Sequence, residues 1–348
     1  MKRFRKLALL LVMMLVVLLV GSACGSGNNK KNNSGDNNNS NNNNQNNENE
    51  DMTPENYAVA VLKGPTAVGF VKAWDDSDNG TTKNKYNVTA YGTADEITIG
   101  LVKGDIDIAA VPCNLASVLY NKTQGKIQVA AINTLGVLYV VSDGDNMSEI
   151  KELKGKTIYT TGKGTTPEYI LNYILRQNGL EPGKDVTIEY KSEATEVVAM
   201  MSANKGSIGM LPQPYVTTVL SKNTDMKIIF NMTEEWNKVS NGKEMVTGVV
   251  VARKEVVEKN PLAFDEFMKD YKASTEYVNT NISDAAELVE KHDLFKAAVA
   301  EKAIPDCNIK FIQGDDMKNY VENYLSILFE ANAQSIGGTM PGEDFYLK

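Results

Sequence analysis

Lys63-Gly64-Pro65-Thr66 and Lys163-Gly164-Thr165-Thr166 stand 100 residues apart, and the offset continues downstream. Laid on one another without a gap, segments 88–122 and 188–222 coincide at Ala94/Ala194, Glu96/Glu196, Ile108/Ile208, Pro112/Pro212 and Lys122/Lys222. The apolar pattern agrees better than the identities do. Val88–Tyr91 and Ile188–Lys191 each lead into a helix-like run, followed by a short apolar strand, Ile108–Pro112 or Ile208–Pro212. Internal self-similarity at this period signals a duplicated unit. A repeat this long predicts two similar lobes rather than a solenoid, with a cleft between them able to hold a ligand.

Working outward, the alternation continues. Strands are predicted at 57–62, 86–91, 107–111, 126–133, 137–141, 156–161, 186–190, 207–211, 227–231 and 245–252. Helices are predicted from the first repeat loop to about Trp74 and at 94–103, 113–121, 165–178, 193–204 and 213–222. Beyond Lys254 helical periodicity dominates, at 262–280, 284–291, 294–302 and 316–333. Strands alternating with helices predict an α/β fold, each lobe a mostly parallel sheet flanked by helices. In such sheets ligands lie beyond the carboxyl ends of the strands. Both Lys-Gly-x-Thr loops fall there, as do Gly92-Thr93-Ala94 with Ser192-Glu193-Ala194, and Pro112-Cys113-Asn114 with Pro212-Gln213-Pro214. The free N–H groups of a helix start, helped by the helix dipole, can bind an anion or a carbonyl; Thr165 or Thr166 also serves as the helix cap. Pro65 removes a donor that the second copy keeps, so the second lobe is expected to hold the ligand's polar group. The chain is read as lobe one, 53–142 plus 248–348, and lobe two, 143–247, with hinges near 142–148 and 245–249.

The N-terminus reads as a secretion signal. Lys2, Arg3, Arg5 and Lys6 precede Leu7–Val20, an uninterrupted apolar run of 14 residues, short for a membrane span. It ends Gly21-Ser22-Ala23-Cys24, which resembles a bacterial lipobox and marks 1–24 as a lipoprotein signal peptide with Cys24 lipidated. Acyl chains contribute about 0.8 kcal/mol per buried methylene, so two or more anchor stably. Residues 25–52 form an Asn-rich linker with no apolar residue before Met52, expected to be disordered, with a reach of roughly 30 Å. This places the protein on the extracytoplasmic face of a cell membrane, lipid-anchored, as on a Gram-positive surface. Removing the four basic residues of the signal from 36 Lys+Arg leaves 32 against 44 Asp+Glu, a net charge of −12. Such a surface disfavours nucleic acid. Cys113 and Cys307 remain, and two Cys in a chain this long do not establish a disulfide.

Enzyme chemistry is poorly supplied. The one histidine, His292, sits in a charged helical run that reads as a solvent face. No zinc-type cluster fits the Cys and His spacing; Gly155-Lys156-Thr157 precedes a strand and is not a P-loop; Asp75–Gly80 has Tyr86 where a calcium loop needs Glu and reads as a turn. Tyr91, Tyr159, Tyr169, Tyr215, Trp74 and Trp236 are the aromatic candidates for a pocket, Tyr215 foremost.

Leu153–Tyr169, with its helix ending at Gln177–Leu180, resembles the second-lobe entry of the sulfonate/nitrate/taurine-type solute-binding proteins of ABC importers (periplasmic-binding-protein-like, type II). Leu101–Val111 resembles the first-lobe segment of that family, and Asn260-Pro261 and Ile336–Pro341 its C-terminal part. The resemblance implies a two-lobed Venus-flytrap fold acting as a monomer without a cofactor or metal. It implies a small solute as ligand, possible solutes including sulfonates, nitrate and pyrimidines, and an ABC permease with its cytoplasmic ATPase as partners. Carried over by position, the binding residues are Gly64, Pro65, Thr66, Tyr91, Gly92, Thr93, Ala94, Cys113 and Asn114 in lobe one. In lobe two they are Gly164, Thr165, Thr166, Glu193, Gln213 and Tyr215. Two other readings use the same cleft: a carboxylate-based surface enzyme, and a sensory lipoprotein without a transport partner.

Overall fold

The computed structural model describes residues 52–144 and 146–348. The signal, Cys24 and the Asn-rich linker up to Asp51 lie outside the described residues. The strands are β1 (Asn56–Leu62), β2 (Lys85–Tyr91), β3 (Ile108–Pro112), β4 (Ile127–Thr134), β5 (Leu138–Ser142), β6 (Thr157–Thr160), β7 (Thr187–Tyr190), β8 (Ile208–Pro212), β9 (Lys227–Asn231), β10 (Gly248–Arg253) and β11 (Ile309–Ile312). They form two sheets, β2-β1-β3-β10-β4-β11 and β7-β6-β8-β5-β9. No described helix is long and apolar enough to cross a membrane.

The duplication is physical. In each sheet a central strand pairs in parallel with its neighbours on both sides: Val59 with Val88 and Ile108, Ile158 with Ile188 and Ile208. The second and third strands keep the 100-residue offset. The first strands are offset by 99, because the loop after β6 carries one residue more before its Lys-Gly. The helices Ala94–Lys103 and Ala194–Ala203 occupy equivalent places, as do Cys113–Thr123 and Tyr215–Lys222. Strand β3 is buried from Ile108 to Val111, as expected of a parallel strand covered on both faces.

The sheets are mixed rather than mostly parallel. Beyond β3 and β8 the remaining strands pair antiparallel: β10 beside β3, and β5 beside β8. These two carry the chain between lobes. β5 follows β4 at once, yet it belongs to the second sheet, so the strand assigned to the end of lobe one lies in lobe two. The chain therefore crosses at residues 135–137, before the segment 142–148 read as a hinge. The return crossover comes in the loop before β10.

Other differences have local causes. The first repeat loop leads into two short helices, Pro65–Val68 and Val71–Asp78, broken at Gly69-Phe70, and the second runs through Asp75, which is no turn. There the Asp75 carboxylate meets Lys291. The helix Met232–Val239 and the edge strand β11 have no counterpart among the predicted elements, while Lys254–Lys259 opens the helical region expected from Lys254 onward. His292 is not solvent-facing: its ring stacks on Trp74 at 4.2 Å, and only 7 % of the side chain is exposed. Cys113 and Cys307 are free, buried thiols, and burial pushes both thiol pKa values up.

Candidate functional site

The helix Thr166–Gln177 illustrates how the sequence builds one wall. Pro167 and Glu168 suit its first turn, Arg176 its last, and Gly179 at φ 77° ends it. Ile170, Leu171, Ile174 and Leu175 form one buried stripe, so the helix seats firmly and its N-terminus is aimed at the other lobe. Gly164, at φ 78°, turns the chain in the left-handed region just before it, and its N–H donates to Glu168 Oε2 at 2.5 Å. In lobe one Gly64 makes the matching turn at φ 153°, a conformation open to glycine alone.

A cavity of about 400 Å³ lies between the two sets of strand-to-helix loops. Gly64, Pro65 and Thr66 line it after β1, and Gly92, Thr93 and Ala94 after β2. From the second lobe come Thr165, Thr166 and Tyr215. The structure thus brings nine of the anticipated positions to one cavity. The other six do not line it. Tyr91 and Gly164 are absent from the wall. Cys113 is fully buried. Asn114 is buried too, and Thr166 Oγ1 donates to its Oδ1 at 3.1 Å. Gln213 turns inward, its Oε1 accepting from Thr217 N–H and Oγ1. The carboxylate of Glu193 lies against Gly92, where an added Cβ would meet Oε1 at 2.6 Å.

Neither repeat threonine offers its proton to the cavity. Thr66 Oγ1 donates to Leu62 O at 2.9 Å, and Thr166 is committed to Asn114. Tyr215 is the one aromatic candidate that lines the cavity. Its hydroxyl donates to Lys63 O at 3.2 Å, its ring meets Phe295 at 5.0 Å, and burial pushes its pKa up to about 12. Trp236 is buried in the core.

Sequence reasoning missed the charged groups. The ionisable lining residues other than Tyr215 are Lys63, Lys163, Lys191 and Asp95. Lys63 and Lys163 are the first residues of the repeated motif, so the signal was present but was read for its Gly and Thr. Lys163 Nζ lies 6.0 Å from the centre of the Tyr190 ring, and Lys191 Nζ 5.6 Å from that of Tyr159. Also missed were Thr134 and Thr247, which line the cavity where the chain changes sheets. Thr247 N–H donates to Thr134 O at 3.1 Å, while neither side-chain hydroxyl, both buried, has a partner among the described residues. No cluster of three or more His, Cys, Asp or Glu among the described residues could hold a metal ion.

A family model described as menaquinone biosynthesis matches residues 89–332. The chain belongs to the menaquinone-biosynthesis family. The fold of this family member is that of the solute-binding proteins, as the resemblance implied. It is similar to an ABC transporter protein of Parabacteroides distasonis, with 24% identity and a TM-score of 0.69 over 84% of this chain and 98% of that one. The periplasmic aliphatic sulphonate binding protein of Escherichia coli has 13% identity and a TM-score of 0.68, over 85% and 93%. The periplasmic nitrate-binding protein of Synechocystis PCC 6803 has 13% identity and a TM-score of 0.61, over 82% and 85%. No curated protein matches the sequence.

Proposed function

We propose that this protein is the extracytoplasmic solute-binding component of an ABC importer and captures a small anionic solute between its lobes. It is a receptor rather than an enzyme, monomeric, anchored through Cys24, and it delivers the solute to a permease driven by a cytoplasmic ATPase. The observation that carries this reading is the charge of the cavity: three lysines and one aspartate line it, in a chain of net charge −8. Lys191 Nζ also lies 3.6 Å from Glu189 Oε2, so the excess of positive charge rests on Lys63 and Lys163 against Asp95, and such an excess draws anions by its own field, whatever the total charge. The fold similarity to a sulphonate-binding and a nitrate-binding protein supports the same ligand class. The solute's contact with both lobes would favour the arrangement in which they meet.

The family match favours a second reading, an enzyme of menaquinone biosynthesis working in the same cleft. Asp95 in the wall and Glu193 beside Gly92 would be its acid and base candidates.

Thermal unfolding of the purified full chain against a panel of sulfonates, nitrate and small carboxylates separates the two. A ligand at a hundred times its Kd adds about 2.7 kcal/mol, a rise of roughly 5 to 10 °C in Tm. The receptor reading expects such a rise with at least one anion recovered unchanged. No rise across the panel, together with no small molecule retained in native mass spectra of protein from its host, would sink it. Conversion of a retained molecule on incubation would favour the enzyme.

A further inference from the structure

Asn114 occupies a position where the sequence points to a ligand contact, but its surroundings give it different work. It lies in the first turn of the helix Cys113–Thr123 in lobe one and is fully buried. Its amide is satisfied by protein on both sides. Oδ1 accepts from Thr166 Oγ1 at 3.1 Å; Nδ2 donates to Ser335 O at 2.8 Å and faces Gly164 O at 3.4 Å. Two carbonyls on one side and a hydroxyl on the other suit a side chain that both donates and accepts, and a carboxylate would face both carbonyls with no proton to give. Thr166 and Gly164 belong to the loop of lobe two that lines the cavity, and Ser335 to the C-terminal segment. One side chain therefore ties three segments at the seam between the lobes.

A second tie lies across the cavity. Tyr215 of lobe two donates to Lys63 O of lobe one and packs its ring on Phe295.

We propose that Asn114 is a positioning residue that latches the Gly164–Thr166 loop to lobe one in the ligand-free protein, so that the lobes are held together before any solute binds. Acting through Thr166, it sets the fraction of molecules with the cleft shut and thereby scales apparent affinity. The proposal rests on reading the cavity as a ligand cleft, but its test uses no ligand, so failure of the anion assignment leaves it standing.

Spin labels on Lys103→Cys and Lys205→Cys, exposed positions near the ends of equivalent helices, report the distance between lobes in the full chain carrying Cys24→Ser. Without ligand, the parent chain should show mainly a short distance with a measurable minority at a longer one. Thr166→Val and Asn114→Ala should each raise the ratio of long to short distances roughly two- to tenfold, the range set by one net hydrogen bond. Because both break the same contact, the double variant should shift the ratio by less than the product of the two single changes. A parent already at the long distance, single variants indistinguishable from it, or a double variant at the full product would each overturn the latch. Thr166→Val preserves shape and decides the question alone if Asn114→Ala does not fold.

Discussion

Thr134 and Thr247 line the cavity, yet their hydroxyl oxygens are buried and have no partner among the described residues. A buried hydroxyl without a hydrogen bond costs about 1–3 kcal/mol relative to a satisfied one. Valine has nearly the shape of threonine and no such penalty. Thr134→Val should therefore stabilise the ligand-free protein by about 1 kcal/mol and raise Tm by about 2–4 °C. A drop in Tm on thermal unfolding would mean that the hydroxyl is bonded in solution. Such an orphan is invisible in sequence, since nothing in Asn133-Thr134 or Thr247-Gly248 says that the two threonines meet. The lysines are the opposite case. Lys63 and Lys163 were in plain view in the repeated motif, and their importance depended only on knowing that both loops open onto one cavity.

The crossover at 135–137 decides how the two lobes are joined. It is held at several points: Leu135 N–H donates to Asn308 O at 3.2 Å, Asn308 Nδ2 donates to Gly136 O at 3.0 Å, and Gln213 N–H donates to Val137 O at 3.3 Å. Gly136 is closely covered. A Cβ there would meet Thr233 Oγ1 at 2.1 Å and Met245 Cε at 2.5 Å. Overpacking of this kind typically costs 1–3 kcal/mol. Gly136→Ala should lower the unfolding free energy by about that amount in urea denaturation, and an unchanged midpoint would show that the crossover gives way freely. The parallel units β2-β1-β3 and β7-β6-β8 were legible because each is a local strand–helix–strand run with its own apolar pattern. The antiparallel strands were not. β5 reads as the natural continuation of β4, and only the sheet partners on either side settle that it pairs with β8 and β9. β11, Ile309–Ile312, is four residues at a sheet edge with a register irregularity, too short for its alternation to stand out.

At the scale of the molecule, the C-terminal helices complete lobe one by folding back against the helix Val71–Asp78, and the single histidine lies in that contact. His292 stacks on Trp74, its Nε2 is 3.6 Å from Asp75 Oδ1, and Lys291 shares the same carboxylate. Burial holds the imidazole pKa below its ordinary 6.5, outweighing the pull of Asp75 and Asp78, while Lys291 adds to the lowering. A base whose folded pKa is depressed binds its proton more readily when unfolded. Stability is then fully present above about pH 6.5 and declines as pH falls through that value toward the folded pKa. The chain has one histidine, and Asp270, whose carboxyl pKa burial pushes up, acts with the opposite sign, so a loss of stability on lowering the pH that shrinks without the imidazole is attributable to His292. Urea unfolding at pH 8 and pH 5.5 should show a lower midpoint at pH 5.5, and His292→Phe, which keeps a ring against Trp74, should reduce that difference. Equal midpoints in the parent chain would mean that Asp75 fully compensates burial. A difference undiminished in His292→Phe would move its origin to carboxylates elsewhere, and the joint between the C-terminal helices and lobe one would then be insensitive to pH.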